Sequence, residues 1–284
     1  MKKIILLITS MLFYGFGFAQ FHDTTSNSQS YLAGQNKSVF NMKGAKDALV
    51  YIYYSHTNDF AVEALQAQGY TVTVTDSLAE FDTKLATGNY GFAIVLIQED
   101  CEYPDYTILQ NFINNGGKVI YNDWTLDGFY SYSCENGGTT KDYAALFEAQ
   151  YTYNINCMSF SFTDPYLSFG LSNPVVLTNP GWNDPKTMGL APIGSGVSIA
   201  KFECNMRTYE DALILGNNGN TIILGYFVDQ PPFNERKLLF EKLIRYIEYN
   251  GNPPFPVPLN NWALIITVLL ISVIITANYR KQTA

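Results

Sequence analysis

From Trp262 to Ala277 the chain carries no charge and consists mostly of Ile, Leu and Val, with Arg280 and Lys281 close behind. An aromatic edge, an apolar run and a basic stop form the pattern of a single membrane-spanning helix whose C-terminus is cytoplasmic. The strict run gives about 24 Å of helix at ~1.5 Å per residue. The wider stretch 259–279 holds 21 residues, matching the ~20 that a bilayer core requires. Whatever folds must therefore do so upstream of residue 259, in a body tied to a membrane.

The other end fits the same topology. Lys2 and Lys3 precede an apolar stretch from Ile4 to Phe16, and Gly17-Phe18-Ala19 then supplies small residues at the −3 and −1 positions. That is the layout of a secretory signal peptide cleaved before Gln20. No Cys lies near the site, so a lipid anchor is not expected. The predicted organisation is a signal peptide (1–19), a polar leader (20–45), an ectodomain (46–250), a proline-rich spacer (251–258), a transmembrane helix (259–279) and a cytoplasmic tail (280–284). The ectodomain is expected on the periplasmic or extracellular side.

Charge narrows the partners. Lys2, Lys3, Arg280 and Lys281 sit in the two ends, leaving 13 cations against all 25 acids between them, a formal charge of −12. An acidic body argues against nucleic acid and against docking on anionic lipid. Cys101, Cys134, Cys157 and Cys204 all fall in the exported part, so disulfides are expected. Three pairings are possible and the sequence does not choose among them; the one we favour joins Cys101 to Cys134 and Cys157 to Cys204. Zinc is not expected, because there is no CxxC pair and only His22 and His56 are available.

Along the body, apolar runs alternate with helical spacing. ALVYIYY (48–54) and FAIVLI (92–97) read as strands buried on both faces. YTVTVT (70–75) reads as a β-branched strand, and short helices are predicted around 60–65, with Gly69 as the stop, and over 78–85. Ile108, Leu109, Phe112 and Ile113 share one helical face before Asn115-Gly116-Gly117 and the strand KVIY (118–121). Strands and helices in this order imply βαβ units, hence an α/β fold with a mostly parallel, flavodoxin-like sheet flanked by helices. Residues 124–210 are irregular, with candidate strands at 158–162, 174–178 and 197–203, and are expected to elaborate the C-terminal edge of the sheet. Two strands joined by Asn217-Asn218-Gly219 and an amphipathic helix over 234–248 close the body.

QNFINNGGKVIYNDW (Gln110–Trp124) and NTIILGYFVDQPPFNERKLLFEKLIRYI (Asn220–Ile247) resemble the type 1 glutamine amidotransferase-like superfamily and its ThuA-like relatives. The resemblance covers roughly 47–124 and 212–248 and implies that superfamily's fold. Its catalytic members carry a cysteine in a Gly-x-Cys-x-Gly turn, paired with a His-x-Glu. Here the strand FAIVLI leads into Gln98-Glu99-Asp100-Cys101-Glu102, with no flanking glycine, and no His follows residue 56. A nucleophile turn needs small neighbours, and three adjacent carboxylates disfavour the thiolate. A catalytically degenerate domain is expected. The spacer, apolar helix and basic end also resemble the tripartite C-terminal sorting signals of bacterial surface proteins, which implies processing by an exosortase-type membrane enzyme.

Three constellations are candidates for chemistry. Glu99, Asp100, Glu102 and Asp105 follow a strand end and offer hard oxygen ligands of the kind Ca²⁺ takes, without the D-x-D-x-D-G spacing of a calcium loop. Asp123 and Asp127, with His56, Thr57 and Asn58, are placed to converge on one cleft if the sheet is parallel, where paired carboxylates could do acid–base work on a glycoside. Trp124, Tyr130 and Tyr132, with Phe129 and Trp182, could stack on a sugar or a protein partner. The expected function is a membrane-anchored extracytoplasmic binding or assembly protein. Its ligand is expected to be a glycan or an envelope protein, with Trp124, Tyr130, Tyr132 and Asn58 as contacts and no cofactor. The alternative is a carbohydrate-acting hydrolase using the strand-end carboxylates.

Overall fold

In the computed structural model, the residues described are 46–53, 60–98, 103–126, 141–179, 181, 187–204 and 210–254, together with 269 and 272. The signal peptide, the leader, half of the spacer, the tail and all but two residues of the expected membrane helix lie outside them. Among the described residues no helix is long and apolar enough to cross a membrane.

Strand β1 (Asp47–Tyr53) is followed by α1 (Phe60–Ala67), β2 (Thr71–Thr75), α2 (Leu78–Thr87), β3 (Phe92–Ile97), α3 (Tyr106–Asn114) and β4 (Lys118–Asp123). β1 lies between β2 and β3, and β4 lies beyond β3, every pair parallel. Burial follows the pleat. Ala48, Val50, Phe92, Ile94 and Leu96 pack on one face with α1, while Leu49, Tyr51, Ala93, Val95 and Ile97 pack on the other under α2 and α3. Both faces are covered, which is why these strands read as unbroken apolar runs.

The helix boundaries have local causes. Ser77 caps α2, its side chain accepting from Glu80 N, and Asp105 caps α3, accepting from the Thr107 and Ile108 amides at 2.8 and 2.9 Å. Gly116, with φ +85°, makes the left-handed turn that sends the chain from α3 into β4. The closing hairpin pairs β10 (Asp211–Gly216) with β11 (Thr221–Leu224) through a turn in which Asn217, Asn218 and Gly219 all have positive φ, as the Asn-Asn-Gly sequence predicts. β11 lies parallel to β4, and the last helix, α6 (Phe233–Glu248), returns along the α1 face with Leu239, Leu243, Ile244 and Ile247 buried.

The middle of the chain departs from expectation. It contains α4 (Tyr143–Leu146), β5 (Ala149–Ile155), β6 (Ser159–Phe162), α5 (Pro165–Ser168), β7 (Val175–Val176), β8 (Thr187–Pro192) and β9 (Val197–Phe202). These strands continue the same sheet sideways from β10: β9, β6 and β7 in one row, with β8 and β5 branching from β10, every contact antiparallel. The expectation of a mostly parallel sheet therefore holds for one half only. Among the described residues it is a mixed sheet of 11 strands, and the described part of the insertion widens it sideways. A disulfide, Cys157–Cys204 (S–S 2.04 Å), ties the loop after β5 to the end of β9. Cys101 and Cys134 lie outside the described residues.

Candidate functional site

β1, β3, β4 and β11 are mutually parallel in direction, so their C-terminal ends share one edge, the place where open α/β sheets build sites. Two polar groups occupy it, one on each face. On the α1/α6 side, Gln98 ends β3 and donates from Nε2 to Asp229 Oδ1 at 3.0 Å; both residues are fully buried. The segment after β11 is locked in place around them. Gln230 Oε1 accepts from the Phe227 amide at 2.9 Å, and Arg236 on α6 bonds the carbonyls of Pro231 and Asp229. Burial lowers the Arg236 pKa, with the Asp229 charge opposing that shift. Asn122 donates to the Tyr226 carbonyl at 2.7 Å.

On the α2/α3 side sits Asp123, only 1% exposed. Its carboxylate accepts from the Thr125 amide at 2.8 Å, the Thr125 hydroxyl at 2.7 Å and the Tyr121 hydroxyl at 3.0 Å. The Tyr103 and Thr125 hydroxyls lie 2.6 Å apart, and Tyr143 stacks against both Tyr103 and Tyr121. Burial first, and then the neighbouring Asp123 charge, push the Tyr121 hydroxyl well above its ordinary pKa, so it stays a donor at neutral pH. Tyr143 is raised by the same two causes.

Several buried polar atoms are left over. Asn122 Oδ1, Gln230 Nε2 and the Tyr226 hydroxyl are buried without a hydrogen-bond partner. They belong to residues at or just beyond the ends of β4 and β11.

The predicted site residues divide accordingly. Asp123 and Trp124 stand at this edge, with Trp124 half-buried against the α2/α3 core and its amide bonded to the Ile97 carbonyl at 3.1 Å. Asp105 lies on the same side but serves as the α3 cap, and its own amide bonds the Asp82 carboxylate. That capping role engages Asp105 Oδ1 with the two backbone amides. Burial, with the nearby Asp105 charge adding to it, raises the Asp82 pKa. Among the described residues no group of three or more His, Cys, Asp or Glu could hold a metal. His56, Asn58, Glu99, Asp100, Cys101, Glu102, Asp127, Tyr130 and Tyr132 lie outside the described residues. Sequence reasoning missed Gln98, Asn122, Asp229, Gln230 and Arg236. Their only signal is a polar residue placed where an apolar run stops.

Grooves among the described residues also lie elsewhere. One of about 340 Å³ runs between the ends of α2 and α3, lined by Leu85, Tyr90, Ile108, Asn111 and Phe112 at the opposite edge of the sheet.

No family model matches the chain, and no curated protein does. Solved structures of similar chain course exist. A ThuA-like protein from Bacteroides uniformis has a TM-score of 0.47 at 14% identity, over 75% of this chain and 94% of that one. A glutamine amidotransferase from Thermotoga maritima has 0.43 at 7%, over 72% and 93%. A β-galactosidase from Rahnella sp. R3 has 0.47 at 13%, over 74% of this chain and 32% of that one. At these identities and scores the likeness is one of chain course and says nothing of activity.

Proposed function

We propose that the chain is an exported, membrane-tethered binding protein. Its amidotransferase-like domain has lost the catalytic centre and recognises its ligand, a glycan or an envelope partner, at the C-terminal edge of the parallel strands. The observation that carries this reading is the state of the carboxylates there. Both described ones, Asp123 and Asp229, are buried and bonded by neighbouring side chains. A general acid or base must reach the substrate proton directly or through one water. A carboxylate saturated by three internal donors instead fixes the shape of the edge. The sequence supports the same view, since no His follows residue 56 and no glycine flanks Cys101. Export rests on the two apolar termini.

The test is a glycan array probed with the full chain in detergent, beside Trp124→Ala. Selective retention that Trp124→Ala weakens at least tenfold supports recognition at this edge. Glycoside turnover shown by the wild type and abolished by Asp123→Asn, with a melting loss of no more than about 4 °C, would instead establish the hydrolase. A reporter fused after Asn250 checks the topology: activity confined to the cytosolic side refutes export. Mass analysis of the mature C-terminus tests the sorting signal, since an intact Tyr279–Ala284 tail eliminates processing.

A further inference from the structure

The sheet branches, so β5, which pairs only β8 and carries a register shift, is an outer strand too. The two strands at the ends of the main row are treated very differently. At one end β7 is only two residues long and follows Pro174, which leaves little backbone to pair. At the other end β2 offers five residues, Thr71-Val72-Thr73-Val74-Thr75, with no charge, proline or bulge among them, and no described strand pairs its outer side. Such an edge is a template for another extended chain.

The backbone fixes which groups face outward. The Thr71 amide donates to the Lys46 carbonyl of the segment leading into β1, and β2 pairs with β1 in parallel register from Asp47↔Thr71 to Tyr51↔Thr75. Alternation along a parallel strand then turns Thr71, Thr73 and Thr75 inward, and the amides and carbonyls of Val72 and Val74 outward. The same five residues read identically in both directions. About a two-fold axis through Thr73, an antiparallel second copy sets Val72 opposite Val74 and Thr71 opposite Thr75, with Thr73 facing itself. The outward Val72 and Val74 groups fall in the hydrogen-bonded pairs, and Thr73 falls in a non-hydrogen-bonded pair, as the antiparallel ladder demands. Side chains agree with backbone: Val74 is 50% exposed, and in this register it covers the partly buried Val72 of the other copy on the α1 face. Thr73 meets its own copy on the opposite face, where a Thr–Thr cross-strand pair is favourable, while Thr75 stays buried in its own chain with its hydroxyl on Ser77 and Glu80.

We propose that two copies of this chain pair edge to edge through β2, antiparallel about Thr73, to form one continuous sheet. A two-fold contact needs a self-complementary surface, and this strand is one in sequence and in hydrogen-bond phase. The inference does not depend on the ligand reading. A five-residue edge is short of the ~1,600 Å² of a standard interface, so the dimer should dissociate on dilution.

The experiment uses the full chain in detergent and in native membranes. Sedimentation at two concentrations should show a dimer that falls to monomer on dilution. Val74→Pro removes one outward amide without touching the β1–β2 bonds, a position where an edge strand tolerates proline, and should give monomer at both concentrations. Thr73→Cys places two thiols across the axis with Cα atoms about 4.5 Å apart, within disulfide reach. Thr71→Cys leaves its two copies about 13 Å apart at ~3.3 Å per residue. Mild oxidation of membranes should therefore crosslink Thr73→Cys at least fivefold more than Thr71→Cys or wild type. A wild-type chain that is monomeric throughout overturns the proposal. So does equal crosslinking of the two cysteine variants, and that arm stands even if Val74→Pro fails to fold.

Discussion

Replacing Asp123 by alanine strands three donors at once: the Thr125 amide, the Thr125 hydroxyl and the Tyr121 hydroxyl. Tyr121 is fully buried and Thr125 is 3% exposed, so water cannot take the place of the carboxylate without the site opening. An unsatisfied buried donor costs about 1–3 kcal/mol. The Thr125 hydroxyl keeps Tyr103 as a neighbour, which brings the total to about 3–5 kcal/mol. For a body of this size 1 kcal/mol moves the melting temperature by roughly 2–4 °C, so Asp123→Ala should melt about 10 °C or more below wild type. Asp123→Asn keeps an acceptor for Thr125 and disturbs mainly Tyr121, and should cost about 1 kcal/mol. Thr125→Val should cost a similar amount, and Asp123→Ala/Thr125→Val less than the sum of its parts, because both remove the same bond. The assay is intrinsic-fluorescence melting of the full chain in one detergent. If Asp123→Ala melts within about 1 °C of wild type, or no lower than Asp123→Asn, the carboxylate is not the hub of this network. The case against acid–base catalysis would then fail with it.

Tyr226 and Tyr121 are buried, and burial raises both hydroxyl pKa values, for Tyr121 with help from Asp123. Because the folded values exceed the unfolded one near ~10, their contribution to stability is full below about pH 10 and is lost as pH rises through the folded values above it. Melting temperature should therefore fall steeply above pH 10. Tyr226→Phe should soften that fall and cost nothing at pH 7, since its hydroxyl has no partner; a clear loss at pH 7 would refute this. At Gly189 an added Cβ would lie 1.8 Å from Glu210 Oε2 and 2.6 Å from Thr152 Oγ1. Gly189→Ala should thus break the Thr152–Glu210 bond and cost about 1–3 kcal/mol by overpacking, and unchanged melting would refute it. The Cys157–Cys204 bond closes a separation of 47 residues, worth about 4 kcal/mol on chain entropy. Replacing both cysteines by serine should lower melting by roughly 10 °C, whereas a shift under about 2 °C would show that the sheet holds β6 and β9 without it.

The parallel half of the sheet was legible because two-sided burial leaves a strong trace. β1 and β3 are apolar on both faces, and Gly69, Gly88 and Gly116 punctuate the helices before their strands. The antiparallel half was less legible for two reasons. β5, AQYTYNI, alternates as a half-buried strand should, with Ala149 and Ile155 buried and Gln150, Thr152 and Asn154 exposed, but its tyrosines read as loop composition. β8 carries Gly189 inside and Pro192 at its end, residues that argue against a strand until Glu210 is seen to require the glycine. Asp123 and Trp124 were found at the strand end, whereas Gln98 and Asp229, 131 positions apart, meet only through the fold. No local pattern could pair them.

A clasp at the far edge fixes where the chain leaves the body. Lys118, at the start of β4, holds the Ile247 carbonyl at 3.0 Å and Asn250 at 3.4 Å, and Gly219 is small because Asn250 passes against it. The polypeptide thus departs from the pole opposite Gln98 and Asp123. If the proposed anchoring downstream holds, the proposed recognition edge lies at the pole away from the point where the chain departs, like the shade of a lamp from its post.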